Sequence, residues 1–156
     1  MNHLNLRTNQ IAILLVNILV LCLWGFAGIG KIVRGFEVPS WFIDTFKDSM
    51  LASFPGHGIS YYSIVFAEIT AFVLAVVSLF RLEFIKPQLP FLRLTLLLSI
   101  ANFLMLEFGV LLIGDSAGQP RLFNYFVLCL IMYAFLDRHE NVIRIANPKG
   151  LKTEHP

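Results

Sequence analysis

The sequence predicts an all-α membrane protein, a four-transmembrane-helix bundle with a short interfacial helix in its first external loop. Three observations predict it. Of 156 residues, 57% are hydrophobic and only 22 are Asp, Glu, Lys or Arg, which is too little polar surface to cover a soluble domain of this length. Four apolar runs approach the ~20 residues that a bilayer core of ~30 Å requires at ~1.5 Å per residue. Lys and Arg then alternate between rich and poor connecting segments along the chain. The same composition, with a mean hydropathy of +0.74, argues against a cytosolic enzyme, a nucleic-acid binder and a disordered linker. A net charge of +2 is too small to imply an acidic partner.

The expected organisation is an N-terminal segment 1–10, a transmembrane domain 11–137 and a tail 138–156. The first span runs from Ile11 to about Gly30 without a charge. Arg7 ahead of it would also suit a signal peptide, but the run exceeds a signal core and has no A-x-A site. The first external loop, Gly35 to Ser60, opens with Val38, Pro39 and Ser40, a helix start with Ser40 as cap. Phe42, Phe46, Met50 and Phe54 recur every four residues, opposite Asp44, Thr45, Lys47 and Asp48, which describes a helix lying in the interface with Trp41 as anchor. A lid over a site in the bundle is the functional alternative. Phe54 to Gly58 turns the chain into the second span, Tyr61 to Phe80, whose one charge is Glu68.

Arg81 to Pro90 carries two prolines and reads as a connector. The third span, Leu92 to Ile113, has Arg93 at its start and Glu107 near its end; Gly114 to Pro120 is a tight turn; and the fourth, Leu122 to Leu136, is short unless Arg121 and Arg138 snorkel. The tail is polar and basic, and Pro148 and Gly150 point to a loose end. Eight of the 12 basic residues fall on the N-terminus, the Arg81–Arg93 segment and the tail, against Lys31, Arg34, Lys47 and Arg121 on the other face. That places both termini in the cytoplasm of a multi-pass cell (inner) membrane protein, as an even span count requires.

Charge inside a span usually faces a partner, a cavity or a pathway, so depth is informative. Lys31 ends the first span, Glu68 lies about 11 Å below the outer end of the second, and Glu107 about 9 Å below Ile113. Asp115 and Arg121 close the external turn, and Asn124 lies one turn inside Arg121. These six form the expected polar core or ligand-binding set, all in the outer half, with no comparable set in the inner half. Asn17, Leu21, Trp24, Gly28 and Lys31 share one stripe of the first span, and Ala67, Ala71, Ala75 and Ser78 make a small-residue ridge beside Glu68. Either Lys31 and Arg121 neutralise Glu68 and Glu107 as a folding lock, or the cluster binds a head group, a quinone or a proton. Replacing Glu68 or Glu107 is accordingly expected to matter more than replacing Glu83 or Glu140.

Other chemistry is sparse. Cys22 and Cys129 are single and near mid-membrane, so there is no CxxC pair or zinc quartet, although a bond between spans one and four is open to them. His3, His57, His139 and His155 fall outside the expected spans, which argues against haem, and His57 reads as a mobile loop residue. Gly25, Gly28 and Gly30 suit close helix packing rather than a phosphate loop, and no nucleotide, hydrolase or transferase constellation is present. No catalytic residue or metal site is expected.

The chain resembles the DoxX-like family of small four-helix integral membrane proteins over roughly residues 11 to 137. Gly28, Ile29, Gly30 and Lys31 look like the family's G-x-x-K, Glu68 follows a small residue, and the third span closes with an acidic residue and Gly114, Asp115. The resemblance implies a four-helix fold with both ends cytoplasmic, Lys31, Glu68, Glu107 and Asp115 as polar core, and an accessory subunit of a membrane redox (quinone-linked) or envelope complex. A quinone is the cofactor it admits, and the lipid bilayer and other membrane subunits are the partners, with no nucleic acid. Without paired cysteines a thiol-exchange role is not expected. A small transporter or proton-conducting module, with Glu68 and Glu107 titrating, and a membrane-protein assembly factor using the small-residue ridge are the alternatives.

Overall fold

A computed structural model describes residues 3–33, 35 and 37–146, with side chains over 7–33, 35 and 37–143. It is all-helical among these residues: α1 (His3–Val33), α2 (Ser40–Phe46), α3 (His57–Phe80), α4 (Pro90–Ile113) and α5 (Gln119–Ala146). Four of them are long and apolar enough to cross a membrane, over Arg7–Val33, His57–Phe80, Pro90–Ile113 and Gln119–Ile143. The chain is thus a four-helix bundle suited to a bilayer. The expected loose end of the tail, and Arg34, lie outside the described residues.

The long helices run alternately up and down. α1 packs along α3, α3 along α4 and α4 along α5, while α1 touches α4 and α5 only lightly. One end of the bundle carries α2 and is called here the lid end; the other, the tail end, holds the start of α1 and the end of α5. Ile13, Val20, Trp24, Leu92, Leu96, Phe103 and Leu136 fill the core, and Phe42, Phe46, Tyr61 and Val65 form a smaller cluster under α2. Phe26, Phe66 and Phe80 stand on the outside, at least 73% exposed, as lipid-facing side chains do.

The α1–α3 seam is close because α1 presents glycine there. A Cβ on Gly25 would stand 3.1 Å from the Phe72 ring, and one on Gly28 3.5 Å from Ile69. Gly30, expected to share this role, has nothing within 4 Å. On α3, Ala67, Ala71, Ala75 and Ser78 are all buried.

Three expectations about elements need correction. α5 is 28 residues long rather than 15, and runs nine residues into the expected tail. Its charged stretch does not end it, because Arg93 of α4 pairs with Asp137 and Glu140, which lie three apart on one face. α2 stops at Phe46: Ser49 Oγ donates to the Phe46 carbonyl and accepts from Leu51 N–H, opening a separate 3₁₀ turn, Met50–Ala52. Phe42 and Phe46 are therefore buried, whereas Met50 and Phe54 are exposed. Pro39, not Ser40, occupies the cap position of α2.

Candidate functional site

Of the six residues expected to form a polar core, two meet. Lys31 Nζ lies 2.6 Å from both Glu68 Oε1 and Oε2, and 5.9 Å from the centre of the Tyr61 ring. Glu68 is 3% exposed and the Lys31 side chain 26%. α1 places Lys31 one turn beyond Gly28, so the lysine stem follows the same glycine-lined seam back to the carboxylate. Of the stripe read from the sequence, Asn17, Gly28 and Lys31 meet α3, while Trp24 reaches Ser99 and Phe103 of α4.

The other four do not join the pair. Glu107 is half-buried and its Oε2 has no hydrogen-bond partner. Asp115 accepts from the N–H groups of Ala117 and Gly118, closing its own exposed turn. Arg121 and Asn124 are exposed. The folding lock expected between Arg121 and Glu107 is absent among the described residues. Shared depth had suggested convergence, but Arg121 and Asn124 sit on the outward side of α5.

A polar residue that charge counting passed over lies deeper. Asn102 is 1% exposed, and neither Nδ2 nor Oδ1 has a partner. Its level follows from the rungs below it. Trp24 Nε1 donates to Ser99 Oγ at 2.7 Å, and Gly25, next to Trp24, meets Phe72. One turn towards the lid end from that rung stand Glu68 on α3 and Asn102 on α4. The sequence signal was present, since Thr95, Ser99 and Asn102 follow a helical stripe; it carried no charge to draw attention.

The tail end is not the apolar half that the sequence suggested. Glu83 lies in the connector, where Leu82 in the left-handed region (φ 53°) turns the chain into a 3₁₀ turn, Glu83–Ile85. That turn buries Glu83 to 2% exposure. It accepts from Ser78 Oγ (2.8 Å), Phe91 N–H (3.1 Å) and Leu92 N–H (2.9 Å), and Asn17 Nδ2 donates to Ser78 Oγ (2.8 Å). Glu140 accepts from Leu89 N–H and from Arg93, both at 2.6 Å, and Arg93 also reaches Tyr133 Oη and Asp137. Two carboxylates thus cap the start of α4, where unpaired N–H groups and the helix dipole favour negative charge.

The histidine and cysteine readings change as well. His57 is the first residue of α3 and its Nε2 is buried without a partner, whereas His139 is buried within α5, inside a candidate span. Cys22 is exposed and Cys129 buried, both as free thiols, so no bond joins the first and last long helices. No group of three His, Cys, Asp or Glu side chains capable of holding a metal occurs among the described residues.

Beside the pair, and separate from it, a cavity of about 370 Å³ opens at the lid end. Phe42 and Phe46 of α2 roof it, Ile64 of α3 and Met105 and Gly109 of α4 form its floor, and Leu122 of α5 closes one side. Neither Lys31 nor Glu68 lines it. No family model matches this chain, and no curated protein or solved structure matches it.

Proposed function

We propose that this chain is a DoxX-like multi-pass protein of the cell membrane and a non-catalytic accessory subunit of a membrane redox (quinone-linked) or envelope complex. Its lid end faces outward and both termini lie in the cytoplasm, because the tail end carries most of the basic residues. The observation that carries the reading is the Lys31–Glu68 pair: a part-buried salt bridge between α1 and α3, at the level of a bare Asn102 amide and apart from the polar network of the tail end. Charge at that depth is costly and is retained where it serves a site or a partner. With its carboxylate closed off by Lys31, Glu68 suits recognition better than turnover.

Transport is the less supported reading. Between the pair and the tail end Leu96, Leu92, Ile13 and Leu136 are each 0% exposed, and polar side chains buried among them are tied to one another, Asn17 and Glu83 to Ser78 and Trp24 to Ser99, rather than open to a permeant. The test is mass spectrometry of the gently solubilised wild type beside Glu68→Gln. The expected result is one stoichiometric membrane partner, with or without a bound quinone, reduced at least tenfold in the variant. Wild type that carries neither a partner nor a small molecule would overturn the proposal.

A further inference from the structure

The cavity at the lid end carries an inference independent of the Lys31–Glu68 reading. Its lining is almost wholly apolar, and no charged side chain contributes to it. Ions, sugars and phosphate groups therefore find too few polar groups there to replace their water. A volume of about 370 Å³ has room for about a dozen groups of water or methylene size at ~30 Å³ each, within the range of small-molecule sites.

Position narrows the occupant. Trp41 of α2, 58% exposed, lines the mouth, while Ile64 and Met105 lie one to two turns further into the bundle. The mouth is thus at the end of the candidate spans and the floor within them. Ser60, on the first turn of α3, also lines the cavity, and its Oγ is buried with no hydrogen-bond partner. A buried hydroxyl left bare is unfavourable, and here it faces an otherwise greasy wall. What satisfies both is a hydrocarbon chain bearing an uncharged polar group, such as an ester carbonyl or a hydroxyl, near its head.

We infer that the cavity between α2, α3 and α4 is a binding site for the hydrocarbon chain of a single membrane amphiphile, with Ser60 Oγ hydrogen-bonded to an uncharged carbonyl or hydroxyl at the head end of that chain and α2 as the roof. The chain points from Trp41 towards Met105, along the membrane normal. Phospholipid acyl chains and isoprenoid alcohols share this chemistry.

The test is photolabelling in detergent micelles with two probes, a phosphatidylcholine carrying a diazirine in one acyl chain and a diazirine-bearing isoprenoid alcohol. The expected result is saturable labelling by one of them, at one probe per chain, on peptides covering residues 41–64 and 105–113; the probe that saturates identifies the source. Gly109→Phe, which projects a ring towards Phe46 into the cavity, lowers that label at least fivefold, and Ser63→Phe does the same should Gly109→Phe misfold. Ser60→Ala weakens saturation severalfold, and Glu68→Gln leaves it unchanged, which separates this inference from the proposed function. Labelling spread over lipid-facing residues such as Leu15, Leu97 and Ile131, or insensitive to both cavity-filling variants, overturns it.

Discussion

In the sequence Glu107 stands inside an apolar run and Glu83 in a charged connector, yet their surroundings in the fold reverse the weight that depth gives them. Glu83 accepts three hydrogen bonds at the start of α4, while Glu107 keeps an oxygen that nothing meets. Glu83→Gln should therefore lower unfolding stability by about 1–3 kcal/mol, since a charged acceptor shared by two N–H groups and a hydroxyl is lost. Glu107→Gln should be within about 0.5 kcal/mol of wild type. Thermal unfolding in detergent ranks the two, and it reverses the order expected from depth alone. Asn102 makes a sharper case. With both amide atoms bare at 1% exposure, Asn102→Leu should raise the stability of the solubilised protein by about 1–2 kcal/mol, as removal of an unpaired buried polar group does. A fall in stability would mean that the amide is engaged by a group bound inside the bundle.

Helix contacts follow side-chain size more than charge. On the α1–α3 seam Gly25 faces the Phe72 ring and Gly28 faces Ile69, but only the first approach is tighter than ordinary contact. Gly28→Ala should be neutral or stabilising by up to about 1 kcal/mol through reduced backbone freedom, whereas Gly25→Leu should cost more than about 2 kcal/mol by forcing the helices apart. Loss of the Lys31–Glu68 contact in Gly25→Leu, seen as altered lysine reactivity towards an acylating reagent, gives an independent check. The four long helices were legible in the sequence because each apolar run is near the length a bilayer demands. The ends were less so. Asp137, His139 and Glu140 resemble the close of a span until Arg93, 44 residues from Asp137 in sequence, is brought opposite them. Likewise nothing local to Met50 and Phe54 announces that Ser49 will break the period and leave both exposed.

At the scale of the whole molecule the bundle has two polar ends of different character. The tail end is tied by Glu83, Arg93 and Glu140, whose partners span α1, α3, α4 and α5 through Asn17, Ser78 and Asp137. The lid end holds one salt bridge, two bare polar groups on α4 and an apolar cavity under α2. The sequence pointed to the lid end because its charges sit in mid-run; Lys31 and Glu68 were found that way. The tail-end network is not legible in the sequence because Glu83 and Glu140 lie where charge is ordinary, and only the fold shows Glu83 buried and Glu140 half-buried. One end of the bundle is thus braced and the other less satisfied.

Whether Lys31 and Glu68 are a recognition site or only a brace is decided by exchanging them. Lys31→Glu and Glu68→Lys alone should each destabilise by about 2 kcal/mol, between the values for exposed and buried pairs, given that Lys31 is partly exposed. Combined, the two substitutions restore an ion pair of reversed sense in the same seam. Mass spectrometry of the solubilised double variant, with thermal unfolding of the same sample, is the direct measurement. The account predicts that stability recovers while the co-purifying partner or small molecule stays lost. Full retention of that partner by the exchanged pair would contradict it and leave Lys31 and Glu68 as a brace.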